Sequence, residues 1–160
     1  MRIVPEGARP RRGFTGTAQV GQLTSRPVRE RPRGMVSTLF SVAIGGAIGA
    51  SLRFLAGVAV LRMLGQTGFP VAILSVNVIG SFLMGVFVVL AAQRGLTHLS
   101  PFVMTGVLGG FTTFSAFSLE AVTLYERGDI GQAALYVGLS VGLSILGLIA
   151  GLLLARTVLV

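Results

Sequence analysis

Six side chains stand in long apolar runs at spacings that could handle a small anion: Asn77, Phe114, Phe117, Tyr136, Ser140 and Ser144. The Asn77 amide can donate two hydrogens. Phe114 and Phe117 are three residues apart, near neighbours on one helix. The edge of an aromatic ring is positive, so two rings can present a weak positive potential without a formal charge. Tyr136, Ser140 and Ser144 stand at i, i+4 and i+8, which puts their hydroxyls in one stripe along a helix. Polar groups inside a membrane are costly and face a bundle interior or a pathway. Each residue also has a plainer reading. Phenylalanines at this spacing pack cores, serines bond back to their own helix, an asparagine can glue two helices, and Arg53 could pair with Glu120. Taken together they describe a donor-rich path without fixed charge, suited to an anion that must shed water and still leave quickly.

The stretch from Gly106 to Glu120 must position part of this set. Gly106, Gly109 and Gly110 fall within five residues, and Thr112 and Thr113 follow. Glycine weakens a helix through backbone entropy and threonine through its stiff branched side chain. A helix broken here would leave loose carbonyls, which in a membrane must be buried or wetted. A buried cation is a natural partner for them.

The elements around the break follow from composition. The chain has 160 residues, 52% of them hydrophobic and 11% charged, with a mean hydropathy of +0.85. That describes a compact integral membrane protein. The expected fold class is an all-α membrane protein with four transmembrane helices, at 36–61, 71–92, 101–125 and 132–155, the third broken. Residues 65–70 form a turn by their glycines and proline. Gly45/Gly49, Gly138/Gly142 and Gly147/Gly151 place small residues four apart, where backbones can approach closely. With no cysteine there is neither a disulfide nor a thiolate metal site, and His98 reads as a solvated loop residue. There is no nucleophile–base pair, no metal cluster and no nucleotide loop, so the chain reads as a non-enzyme and any transport as passive.

Charge divides the chain into a basic tail, 1–34, and a membrane domain, 35–160. All thirteen basic residues are arginines, and eight of them precede Met35. The tail lacks the apolar residues needed to fold and is expected to be disordered. Only Phe14 interleaves its arginines, which argues against nucleic acid. It reads either as a segment for anionic lipid headgroups or as translation from upstream of a start at Met35. Without the tail, Arg94 and Arg156 on one side balance Arg62 and Arg127 on the other, which gives no orientation bias.

Three segments carry a family resemblance: Gly45 to Phe54, Asn77 to Phe82, and Gly109 to Glu120. Their sequences, GGAIGASLRF, NVIGSF and GGFTTFSAFSLE, closely resemble the CrcB/Fluc fluoride channel family, and the spaced Tyr136, Ser140 and Ser144 match its fourth helix. The resemblance covers 36–155 and leaves the tail outside. It implies an antiparallel, dual-topology dimer with two fluoride pores and one structural sodium ion on the two-fold axis. The sodium would be held by the backbone carbonyls of Gly109 and Thr112 from both subunits. Phe114 and Phe117 would line the path with their edges, Asn77 would donate to fluoride, and Tyr136, Ser140 and Ser144 would form a polar track. Arg53 would sit toward the aqueous vestibule. The family often has threonine where Ala116 stands, so no side-chain role falls to that position. Passive exit of cytoplasmic fluoride, relieving its toxicity, is the implied function, in a cell membrane such as the bacterial inner or plasma membrane. The partner would be a second copy or a homologous subunit. Two other readings compete. A small dual-topology multidrug exporter would need a carboxylate in the first helix, which has only Arg53 as an ionisable group. A non-transporting membrane assembly subunit would need no polar stripe.

Overall fold

The computed structural model describes residues 32–159. The expectation for the basic tail therefore lies outside the described residues, except at 32–34, which belong to the first helix. The described chain is helical throughout its spans: α1 (Pro32–Leu64), α2 (Val71–Arg94), α3 (Gly109–Phe111), α4 (Phe114–Glu126) and α5 (Ile130–Leu159). A short 3-10 turn, Thr97–Leu99, and a π-helical segment, Pro101–Leu108, lead into α3. Grouped as crossings, the spans among the described residues are four, Gly34–Leu64, Val71–Arg94, Thr97–Glu126 and Ile130–Leu159, each long and apolar enough for a bilayer. The chain is a multi-pass membrane protein.

The helices run longer than the expected spans. α1 has 33 residues, about 50 Å of helix, well over the ~30 Å that hydrocarbon requires. Its end is set at Gly65, whose φ of 71° is left-handed and whose N–H reaches the Leu61 carbonyl at 2.9 Å. Gly95, at φ 66°, closes α2 in the same way onto Ala91. His98 is exposed in the 3-10 turn, as a loop residue should be.

Two close helix contacts hold the bundle, and small residues make both. α1 lies against the π-helical segment and α3 through Gly45, Gly49, Gly106 and Gly110. A Cβ added at Gly106 would stand 2.9 Å from the Gly45 Cα, and one at Gly110 would stand 2.7 Å from the Gly46 carbonyl. α2 packs on α5 through Gly85 and Gly151, where a Cβ would strike the backbone of Leu148 and Phe82 respectively. Lipid tails give helices no hydrophobic reason to associate, so this backbone-to-backbone packing is the main attraction available. At Gly138 and Gly142, by contrast, nothing lies within 4 Å of an added Cβ. The small buried core gathers at one end, from Phe117 and Leu124 of α4 and Ala133 and Tyr136 of α5, with Phe69, Ile73, Leu74 and Ala121 packed on it.

Candidate functional site

The break in the third span falls at Thr112 and Thr113. Both are extended, with φ,ψ of −79°,159° and −153°,120°. The glycines before them stay helical; Gly109 has φ,ψ of −64°,−37°. The glycines thus serve the approach of α1, and the branched threonines, which favour extended backbone, carry the break. Thr113 then caps α4: its Oγ1 accepts the Ala116 N–H at 3.2 Å and lies 3.2 Å from the Ser115 Oγ.

Neighbouring helices satisfy the backbone that the break exposes. Asn77 Nδ2 donates to the Thr113 carbonyl at 3.1 Å, and the Thr113 N–H donates to Asn77 Oδ1 at 2.8 Å. Arg53 Nη1 donates to the Thr112 carbonyl at 3.1 Å. The half-buried guanidinium of Arg53 is thus spent on the break and not on Glu120. Because the Thr113 N–H turns to Asn77, the Gly109 carbonyl loses its usual i+4 donor. The Thr112 carbonyl has a lone pair left beyond Arg53. Gly109 is exposed on the single chain. Two under-used carbonyls at a membrane-embedded break fit a hard cation such as sodium, with the remaining ligands to come from elsewhere.

Beside the break runs a groove of about 350 Å³. Asn77, Thr113, Phe114, Phe117, Ser140 and Ser144 line it, with Gly80, Ser81 and Met84 from α2. Five of the six residues singled out for anion chemistry therefore meet on one surface. The sixth, Tyr136, lies directly behind it: its ring is wholly buried, 5.4 Å from Phe117 between centroids. Phe114 and Phe117 are 5.2 Å apart at 48°, Phe114 78% exposed and Phe117 buried. Arg53 is not on the groove; it meets the break from α1.

The serines separate into two kinds. Ser75 and Ser118 bond back to the carbonyls four residues earlier, at 2.8 and 2.9 Å. Ser140 is buried, and among the described residues its hydroxyl and that of Tyr136 have no partner other than each other. The pair can make one hydrogen bond between them, which leaves one donor over, and an unpaired buried donor costs about 1–3 kcal/mol. Sequence reasoning missed Thr113 as the cap and Gly80, where a Cβ would strike the Thr112 methyl. A threonine opening a helical run is itself a cap signal; the Gly80 contact has no local signal.

Residues 40–152 match the model for "CrcB-like protein, Camphor Resistance (CrcB)". A protein of Ruegeria sp. (strain TM1040), called "Fluoride-specific ion channel FluC", is 73% identical over 125 residues, covering 78% of this chain and 99% of that one. Its namesake in Roseobacter denitrificans is 71% identical over 124 residues (77% and 98%), and that of Cereibacter sphaeroides (strain ATCC 17029 / ATH 2.4.9) is 62% identical over 122 (76% and 97%). The chain, with its broken third span and its hydroxyl-lined groove, belongs to the CrcB family.

Proposed function

We propose that this protein is a fluoride-specific ion channel that lets cytoplasmic fluoride leave the cell passively. The carrying observation is the groove, where amide, hydroxyl and ring-edge groups converge with no fixed charge among them. Fluoride holds its water tightly, so a pore must offer several donors and yet bind weakly enough to release it. Ser140 and Tyr136 place two hydroxyls at the groove or directly behind it, with no partner beyond each other among the described residues. One amide hydrogen of Asn77 remains beyond the bond to Thr113. Phe114 and Phe117 add ring edges. Efflux of fluoride from liposomes holding the purified protein tests the reading, with chloride as the ion it should refuse.

The active form is an antiparallel dimer. Its support is the groove's open side, where Asn77, Thr113, Ser140 and Ser144 would otherwise meet lipid. Polar groups facing lipid are costly, so this side suits a second subunit better. Sodium would bridge the two chains through the Gly109 and Thr112 carbonyls, fixing the breaks face to face and supplying a positive field beside the pores. The partner is a second copy where residues 1–34 are absent, since Arg94 and Arg156 then balance Arg62 and Arg127, and a homologous subunit of opposite orientation where they are present. The site residues Asn77, Phe114, Phe117, Tyr136, Ser140 and Ser144 form the pathway, and Arg53 steadies the break.

A further inference from the structure

Tyr136 lies between two cavities and lines neither. On one side is the groove, which Phe117 lines; on the other is a cavity of about 440 Å³ at the α1–α2 turn, lined by Phe69, Thr67, Glu120 and Arg127 among others. Phe69 meets the Tyr136 ring at 5.6 Å and 87°, an edge contact, while Phe117 meets it at 5.4 Å and 37°. Phe114, Phe117, Tyr136 and Phe69 thus form one continuous aromatic row across the partition.

Phe69 sits outside the helices, yet its backbone is tightly held. Its carbonyl accepts from the Thr67 hydroxyl at 2.7 Å and from the Val71 N–H at 2.8 Å. Pro70 fixes the next residue and opens α2, through Leu74 N–H to the Pro70 carbonyl at 3.2 Å. A loop residue pinned at two points and presenting its ring to a buried tyrosine is built to set where that tyrosine points.

Resting on the fluoride-channel reading, we infer that Phe69 is a positioning residue of the pathway. It fixes the Tyr136 ring from the side opposite Phe117 and thereby holds the Tyr136 hydroxyl in the partition between groove and cavity. Packing bulk alone would be replaceable by leucine; an edge contact is not.

The chain has two tyrosines and no tryptophan, so in a Tyr125→Phe background the near-ultraviolet tyrosine circular dichroism reports Tyr136 alone. In that background Phe69→Leu should lose most of the tyrosine band while the far-ultraviolet helix signal stays. This optical arm does not depend on what the protein conducts. In liposomes, Phe69→Leu should slow fluoride efflux about two- to tenfold, the worth of one edge contact, and Phe69→Trp should restore it. Once Tyr136→Phe has removed the hydroxyl, Phe69→Leu should add no further loss. If Phe69→Leu does not fold, Thr67→Val, which removes one of the two donors to the Phe69 carbonyl, should weaken the same band and the same flux. An unchanged tyrosine band overturns the inference, as does a flux loss undiminished in the Tyr136→Phe background or a leucine variant as fast as tryptophan. Wild type that fails to pass fluoride while the band still depends on Phe69 would count against the channel reading and uphold the contact.

Discussion

Asn77 of α2 and Thr113 of the break hold each other at two points, amide to carbonyl at 3.1 Å and N–H to amide oxygen at 2.8 Å. The side chain stands in for a length of helix ladder that the break has removed. Asn77→Leu keeps the bulk and leaves both Thr113 backbone groups unpaired. It should destabilise the folded protein by up to about 6 kcal/mol, since each unpaired group costs roughly 1–3 when fully buried. Asn77→Asp keeps the acceptor for the Thr113 N–H and should cost less, yet it places a negative charge on the groove and should block anions. Thermal unfolding in detergent and efflux in liposomes, measured on both variants, should separate the two effects.

Arg53 and the proposed sodium share the Thr112 carbonyl. Arg53→Gln keeps a donor for that oxygen and removes a positive charge beside the cation site. A unit charge at this range, partly screened, is worth about a kcal/mol or more, so the sodium needed for full activity should fall about tenfold. Flux titrated against sodium at constant ionic strength checks it. No shift, or a higher sodium requirement, would separate Arg53 from the ion.

The glycines divide by what faces them. Gly49→Ala would drive a methyl into the Val107 carbonyl, and Gly151→Ala into that of Phe82. Both meet backbone, which cannot step aside, so each should lose about 1–3 kcal/mol. Gly138→Ala meets nothing within 4 Å and should be neutral or stabilising by about 0.5–1 kcal/mol through helix propensity. Parallel melting curves of the three variants provide the comparison.

That division also shows what could be read from the chain. The four spans were legible because apolar length is a direct consequence of bilayer thickness. The broken third span was legible too, from its glycines and threonines together. Of the two, only Thr112 and Thr113 leave the helix, while the glycines stay helical and pack against α1. Intrinsic propensity cannot tell a glycine that frees backbone from one that admits a neighbour. Gly138 and Gly151 have the same local look, and only the α2–α5 crossing distinguishes them. In the site, the hydroxyl stripe followed from the helical period. The link from Arg53 to Thr112 spans 59 positions, and no local pattern encodes it.

Topology should respond to the tail. A chain begun at Met35 carries two arginines on each side and should insert both ways. The chain begun at Met1 adds eight arginines before the first span and should hold its N-terminus in the cytoplasm. An antiparallel homodimer then requires the shorter chain, and the longer one requires a partner of opposite orientation. Tag accessibility from each face of the membrane decides this. A single orientation for both chains would rule out the homodimer.

The most direct measurement is fluoride efflux from liposomes loaded with purified wild type or Phe114→Ile. Phe114 is mostly exposed on the single chain, so the substitution keeps apolar bulk and should leave folding and dimer size unchanged while removing the ring edge at the groove. Wild type should release fluoride rapidly and retain chloride, and Phe114→Ile should release fluoride up to about tenfold more slowly, the upper worth of one lost aromatic contact. Wild-type liposomes that hold their fluoride, or that release chloride as fast, would contradict the account.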